Sequence, residues 1–195
     1  MKKLLFLFLI LVNGAVFAQA PAQAPSRIRG TITKMEGNVM HVKTRDGRDV
    51  QVSLAAETAV ATAQSTTLTA LKDKYVGVTS EEKGGRLVAV EVHVIPPQAP
   101  SGHMPWDLKP GSGMTNANLA SQAKVTGGDE ITMKYKDGEK KIVVPPGTPV
   151  VGFGPGTLAD LKPGETIFTT AKMEGEGKYS ATRVAVSKNG VKPPQ

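Results

Sequence analysis

Segments of similar sequence recur in this chain, in the same order, 90 to 92 residues apart. The most similar pair is VKTRDGRDVQV at 42–52 and MKYKDGEKKIV at 133–143. Three shorter pairs follow: 58–60 with 148–150, 68–72 with 158–162, and 89–94 with 181–186. A tandem duplication explains this order, because only single-residue insertions or deletions are needed between the copies. Both copies are therefore expected to adopt one fold.

Apolar and polar residues alternate within each copy, as they do in β-strands that bury one face. The runs at 50–54 and 87–94 show the alternation most clearly. Asp46-Gly47 and Asp137-Gly138 separate such runs. Asp-Gly favours a two-residue type I′ hairpin turn, in which both central residues have positive φ. Five short strands and one longer crossing are typical of an OB-like barrel. We expect an all-β chain with two small OB-like β-barrel domains.

The N-terminus has the features of a cleaved signal peptide. Lys2 and Lys3 precede the apolar run 4–12, which is shorter than the ~18–20 residues that a membrane span requires. Small residues predict cleavage after Ala18 or Ala20. The alternative is an uncleaved anchor. No later apolar run reaches a membrane-spanning length, so we expect a protein of the periplasm or the medium that is not an integral membrane protein.

These features divide the chain into six parts: signal peptide 1–20, flexible leader 21–26, first β-barrel repeat 27–96, Pro/Gly-rich linker 97–119, second β-barrel repeat 120–188 and tail 189–195. The linker contains Trp106, the only tryptophan of the chain. We expect Trp106 and Leu108 to pack against one barrel and to fix how the two copies sit. The glycine-rich stretch 152–156 is expected to be a turn, because no strand–helix context for a phosphate-binding loop follows it.

Charge and composition limit the possible functions. The absence of cysteine excludes disulfide scaffolds, thiol nucleophiles, Cys-ligated zinc and a lipoprotein anchor. The formal net charge is +7, and basic side chains are concentrated at the two Asp-Gly hairpins: Lys43, Arg45, Arg48, Lys134, Lys136, Lys140 and Lys141. Together with Trp106 they could bind an anionic component of the cell envelope. Nucleic acid is disfavoured, because barrels that bind single strands need more stacking rings than this chain has.

Two sets of candidate metal ligands are present. Glu91 and His93 lie two residues apart on one face of a predicted strand, a spacing that can supply two ligands. His103 and Met104 in the linker are soft donors of the kind that bind copper(I). Polar side chains exposed on an open barrel face are the simpler interpretation of the Glu91/His93 pair. No cofactor is therefore expected, and a metal is an open alternative.

Residues 27–52, 102–117 and 134–151 resemble a family of uncharacterised exported bacterial proteins, built on a small OB-like β-barrel domain of unknown function. The resemblance implies an envelope location and no established activity. The residues themselves show no Ser/His/Asp set and no paired carboxylates at catalytic spacing, so we expect no enzyme. We predict a non-enzymatic binding or interaction module whose partner is an anionic envelope component or an envelope protein. A periplasmic metal-binding protein and a structural spacer are the alternatives.

Overall fold

The computed structural model describes residues 25–194, and this part of the chain is all-β, as predicted. The predicted signal peptide, with its cleavage positions, lies outside the described residues. The strands are β1 Ser26–Glu36, β2 Val39–Thr44, β3 Asp49–Ser65, β4 Tyr75–Lys83, β5 Arg86–Val94, β6 Gly102–Pro105, β7 Ser112–Val125, β8 Gly128–Tyr135, β9 Gly138–Val144, β10 Val150–Gly156, β11 Thr166–Gly175 and β12 Lys178–Val186. Single 3₁₀ turns lie at Thr69–Leu71 and Leu158–Asp160. Within the described range, no helix is both long and apolar enough to cross a membrane.

The strands close into two five-stranded rings that share one continuous sheet. The first ring runs β1–β2–β3–β12–β11 and back to β1, and its closing contact is the parallel pairing of β3 with β12. The second ring runs β4–β7–β8–β9–β5 and back to β4, closed by the parallel pairing of β5 with β9. Strand β10 joins the rings, because it pairs with β3 on one side and β5 on the other.

Neither ring is built from one contiguous copy, which corrects the expected barrels at 27–96 and 120–188. β1–β3 are completed by β11 and β12 from the other end of the chain, and β7–β9 are completed by β4 and β5. The cause is the length of β3: its 17 residues extend about 55 Å at ~3.3 Å per residue. The first part of β3 belongs to the first ring, and its C-terminal part extends beyond that ring and pairs with β10. The chain then continues into β4 and β5, which belong to the second ring.

Residues that are 90 positions apart in the sequence occupy equivalent positions in the two rings. Ala63 pairs with Phe153, its own counterpart in the alignment, in the antiparallel ladder of β3 and β10. On either side of this pair, Val60 pairs with Val184 and Val150 pairs with Val92, both in parallel. A local twofold axis therefore passes through the Ala63–Phe153 pair and relates the two rings.

Prolines interrupt this symmetry. The stretch 55–59 of β3 aligns with 145–149, where the chain reads PPGTP. Proline has no N–H to donate to a ladder, so a strand is broken where prolines cluster. One continuous strand in the first half thus becomes two, β9 and β10, in the second half. The second ring correspondingly closes through only two registered residue pairs, against eight in the first.

The hairpin turns are not of the predicted type I′, because neither Asp46 nor Asp137 has positive φ. In the first hairpin Gly47 has φ 87°, and its N–H donates to the carbonyl of Thr44 at 2.9 Å. This geometry is the three-residue loop in which only the glycine needs a left-handed conformation. The second hairpin is one residue shorter, since Tyr135 pairs directly with Gly138. The deletion between the copies therefore lies in the turn.

Each ring encloses its own core, drawn from both halves of the chain. The largest fully buried side chains are Ile32, Met40, Leu54 and Ile167 in the first ring and Leu119, Ile131, Met133 and Ile142 in the second. Residues 152–156, expected to be a turn, belong to strand β10. Glycine suits this strand because the Gln64 side chain lies over Gly154, where an added Cβ would be only 2.0 Å from Gln64 Nε2.

Candidate functional site

The cations of the first hairpin have partners inside the molecule. Lys43 Nζ lies 3.0 Å from Asp49 Oδ2, and Arg48 Nε lies 2.8 Å from Asp46 Oδ2. Arg45 donates to two linker carbonyl oxygens, those of Asp107 at 3.2 Å and Leu108 at 3.3 Å. These side chains are exposed, but most of their charge is compensated locally.

The cations of the second hairpin differ in this respect. Among residues 25–194, none of the four lysines Lys134, Lys136, Lys140 and Lys141 has an ion-pair partner within 4.0 Å. Three of them are exposed, and Lys140 is half-buried. Lys134 lies opposite Glu139 and Lys141 opposite Thr132, which makes the two lysines diagonal neighbours about 7–8 Å apart on one face of the hairpin.

The linker is ordered and fastened to the first ring. Asp107 forms a two-pronged ion pair with Arg29 of β1, at 2.9 and 3.3 Å. The Arg29 side chain is only 5% exposed, and its guanidinium also lies 5.1 Å from the ring centre of Phe168. Trp106 is half-buried, with the Arg27 guanidinium 4.2 Å from its ring centre. Burial alone would raise the pKa of Asp107, but Arg29 and Arg27 lower it by hydrogen bonding and by charge.

The same linker also contacts the second ring. β6 pairs with β7, and Lys109 Nζ lies 2.7 Å from Glu81 Oε1 on β4. Partial burial and the nearby charge of Lys140 lower the pKa of His103. The linker therefore touches the first hairpin through Arg45 and approaches the second through His103. Trp106 lies against strand β1 of the first ring, where packing against one barrel was expected. Arg29 and Asp107 belong to the same site, although the sequence analysis did not select them.

Glu91 and His93 are buried, each 7% exposed, not solvated as the simpler interpretation held. They lie on β5 facing out of the second ring, and Thr79 donates to Glu91 Oε1 at 3.1 Å. His93 Nδ1 lies 3.8 Å from the same carboxylate oxygen and has no hydrogen-bond partner among the described residues. Burial, together with the nearby charge of Arg29, lowers the pKa of His93 to about 4. Arg29 belongs to the other ring, so the two rings meet at this point.

The four candidate metal ligands do not come together. His93 shares its face with Gly77 and Asn116, whereas His103 pairs with Thr115 on the opposite face of the same ladder. Met104 is on the His93 face but lies three strands from Glu91, a separation of about 14 Å at ~4.8 Å per strand. No group of three or more His, Cys, Asp or Glu side chains within 25–194 is placed to hold a metal.

Gly77 makes room for the His93 imidazole. A Cβ at Gly77 would lie 2.9 Å from His93 Nε2 and 3.1 Å from Asn116 Oδ1. The equivalent cross-strand pair of the first ring is Phe168 with Ala185. A large and a small residue therefore pair in both rings, with their positions inverted.

We expect Gly77→Ala to lower the free energy of unfolding by about 1–3 kcal/mol, because the added methyl overpacks a buried site. In a His93→Ala background the same substitution is expected to cost much less, since the ring it would strike is gone. Chemical denaturation of the four proteins of this double-mutant cycle measures the difference. Equal costs in both backgrounds would show that His93 does not impose the glycine.

A groove with a volume of about 740 Å³ lies at the mouth of the first ring. Its walls include Arg48, Glu174, Glu176 and Met173, the last of which is 38% exposed. This groove was not predictable from local sequence patterns, because its walls come from hairpins more than 120 residues apart.

No family model, curated protein or solved structure matches the chain.

Proposed function

We propose that the protein is an exported, non-enzymatic binding module that attaches to the phosphate groups of an anionic lipid surface through the β8–β9 hairpin. The observation that carries this proposal is the set of four lysines on that hairpin, none with an ion-pair partner among residues 25–194. The equivalent cations of the β2–β3 hairpin are compensated by Asp46, Asp49 and the linker carbonyls. Uncompensated lysines interact with an external phosphate as compact point charges.

The charge balance of the hairpin supports an anionic ligand. Residues 134–141 contain four lysines and two acidic residues, Asp137 and Glu139, which gives a net charge of +2. A lysine near an anionic membrane surface contributes about 1 kcal/mol. The four lysines together can therefore provide a moderate, reversible attachment.

Replacing Lys134, Lys136, Lys140 and Lys141 with glutamine is expected to weaken vesicle binding on the order of a thousandfold, at about 1 kcal/mol for each of the four lysines. The measurement is co-sedimentation with vesicles of phosphatidylglycerol and phosphatidylcholine at low ionic strength, compared with phosphatidylcholine alone. The matched control replaces Lys72, Lys74, Lys162 and Lys178, which are also exposed, and changes the net charge by the same amount.

The control variant is expected to bind within a few-fold of wild type. Equal losses in both variants would mean that only the net charge matters, and would contradict a site on the hairpin. Binding to both vesicle types, insensitive to salt, would contradict attachment to phosphate, because exposed charges are screened by salt.

A further inference from the structure

Every pairing that closes a ring joins the two halves of the chain. Within the N-terminal half, β1 pairs with β2, β2 with β3, and β4 with β5. The ladders β1–β11, β3–β12, β4–β7 and β5–β9 all cross to the C-terminal half, as do both ladders of β10. Neither half contains a complete ring, and each provides what the other lacks.

From this topology we propose that the chain can exchange halves with a second copy of itself. The exchanged dimer contains two pairs of rings. The N-terminal half of the first copy and the C-terminal half of the second form one pair, and the two remaining halves form the other pair. All the ladders are the same as in the single chain. The only part that changes its path is the connection between β5 and β7, residues 95–111, as in other domain-swapped dimers.

The length of this connection decides between the two states. Val94 pairs with Val76, which pairs with Ala117, so the end of β5 and β7 are two strands apart. Ser112 precedes Ala117 by five residues, and the gap from Val94 to Ser112 is then about 20 Å at ~4.8 Å per strand and ~3.4 Å per residue. The 17 connecting residues of 95–111 give 18 steps between Val94 and Ser112 and reach up to about 63 Å. The connection is therefore long enough for both rings to form within one chain.

A tether of this kind gives the second half an effective concentration on the order of millimolar. Wild-type protein is then a monomer at micromolar concentration. Pairing between two chains competes with pairing within one chain only near millimolar concentration. A connection shorter than the gap removes closure within one chain and leaves the exchanged form as the only folded state.

The test deletes residues 98–111, which leaves three connecting residues and a reach of about 14 Å. Its matched control replaces the same 14 residues with Gly and Ser, so that both variants lose Trp106 and Asp107 but only one loses the length. At about 10 µM, light scattering after size exclusion is expected to give one chain mass for the control. The deletion variant is expected to give two chain masses or a higher multiple, with the same β circular dichroism.

A folded deletion variant with one chain mass would overturn the proposal, and so would an unfolded deletion variant beside a folded control. A second measurement uses wild-type protein refolded from denaturant at about 1 mM and at about 10 µM. A dimer that persists on dilution is expected only from the concentrated sample, because exchange back requires the ladders to open. No dimer at either concentration, or equal amounts at both, would also overturn the proposal.

Discussion

On acidification from about pH 6.5 to about pH 4, the wild-type protein is expected to lose about 3 kcal/mol more stability than a His93→Ala variant. Burial, together with the charge of Arg29, lowers the pKa of His93 from 6.5 to about 4. Between these values the unfolded chain binds a proton at His93 and the folded protein does not. Acidification therefore favours the unfolded state, and 2.5 pKa units correspond to about 3 kcal/mol.

Burial keeps His93 neutral in the folded protein, and the nearby charge of Arg29 adds to this effect. Arg29 approaches it from the first ring and opposes protonation. Glu91 lies on the same strand at 3.8 Å, and Gly77 and Asn116 face the imidazole without charge. Protonation would place a second cation beside Arg29 at the buried junction of the rings, where desolvation already penalises charge.

Urea unfolding at a series of pH values measures this difference, with His41→Ala as the control. His41 is a histidine on the exterior of the first ring, half-buried beside Glu36, and its removal leaves His93 in place. The control is expected to retain the loss of stability that protonation of His93 causes, because His93 is unchanged in it. If wild type and His93→Ala ran parallel over this pH range, the junction would not depend on the protonation of His93.

The strands were predictable from the sequence because their signals are local. Alternation predicted the strand at 87–94, and the Asp-Gly pairs marked both hairpins. A bulge in the pairing of this strand with β4 nevertheless leaves Val88 and Val90 outside the core. The repeat also predicted the equivalences, and it assigned Ala63 and Phe153 the same position in two copies. The type of hairpin turn was wrong, because the three-residue loop and the type I′ turn both favour glycine and differ in the φ of a single aspartate. The turn expected at 152–156 was also wrong, since these residues belong to β10.

The exchange of strands between the copies was not predictable in this way. A strand carries the same alternation whether its partner lies in its own copy or in the other, so periodicity does not specify which partner it takes. The deciding feature is the unbroken run 49–65, which continues through positions where the second copy has prolines. The interpretation of Glu91 and His93 failed for a related reason. Their outward face is buried in the folded chain, and Arg29 of the other ring lies close enough to affect the charge of His93.

The site at the linker was predictable in part. Trp106 stood out as the only tryptophan, and its packing against a barrel followed from its apolar surface. Arg29 did not stand out, because an arginine on the polar positions of a strand is most often solvated. Its role depends on Asp107, 78 residues later in the chain, and on the burial that Trp106 and Phe168 provide.

Replacing Arg29 with alanine is expected to lower the free energy of unfolding by about 2–3 kcal/mol and to detach the linker from the first ring. The substitution removes both hydrogen bonds to Asp107 and the contacts with Trp106 and Phe168. Breaking a fully buried ion pair costs about 3–5 kcal/mol. The lower value is expected here because the Asp107 side chain is 45% exposed and can be hydrated once Arg29 is gone.

Limited proteolysis of the linker and chemical denaturation test this expectation together, with Arg27→Ala as the matched control. Arg27 also contacts Asp107 and Trp106, at 3.4 and 4.2 Å, but its side chain is 43% exposed, and exposed pairs contribute about 0–1 kcal/mol. The control should therefore keep a protected linker and lose less than about 1 kcal/mol. Cleavage within 97–111 that is equally slow in Arg29→Ala and wild type would contradict the conclusion that this one buried guanidinium holds the linker to the first ring.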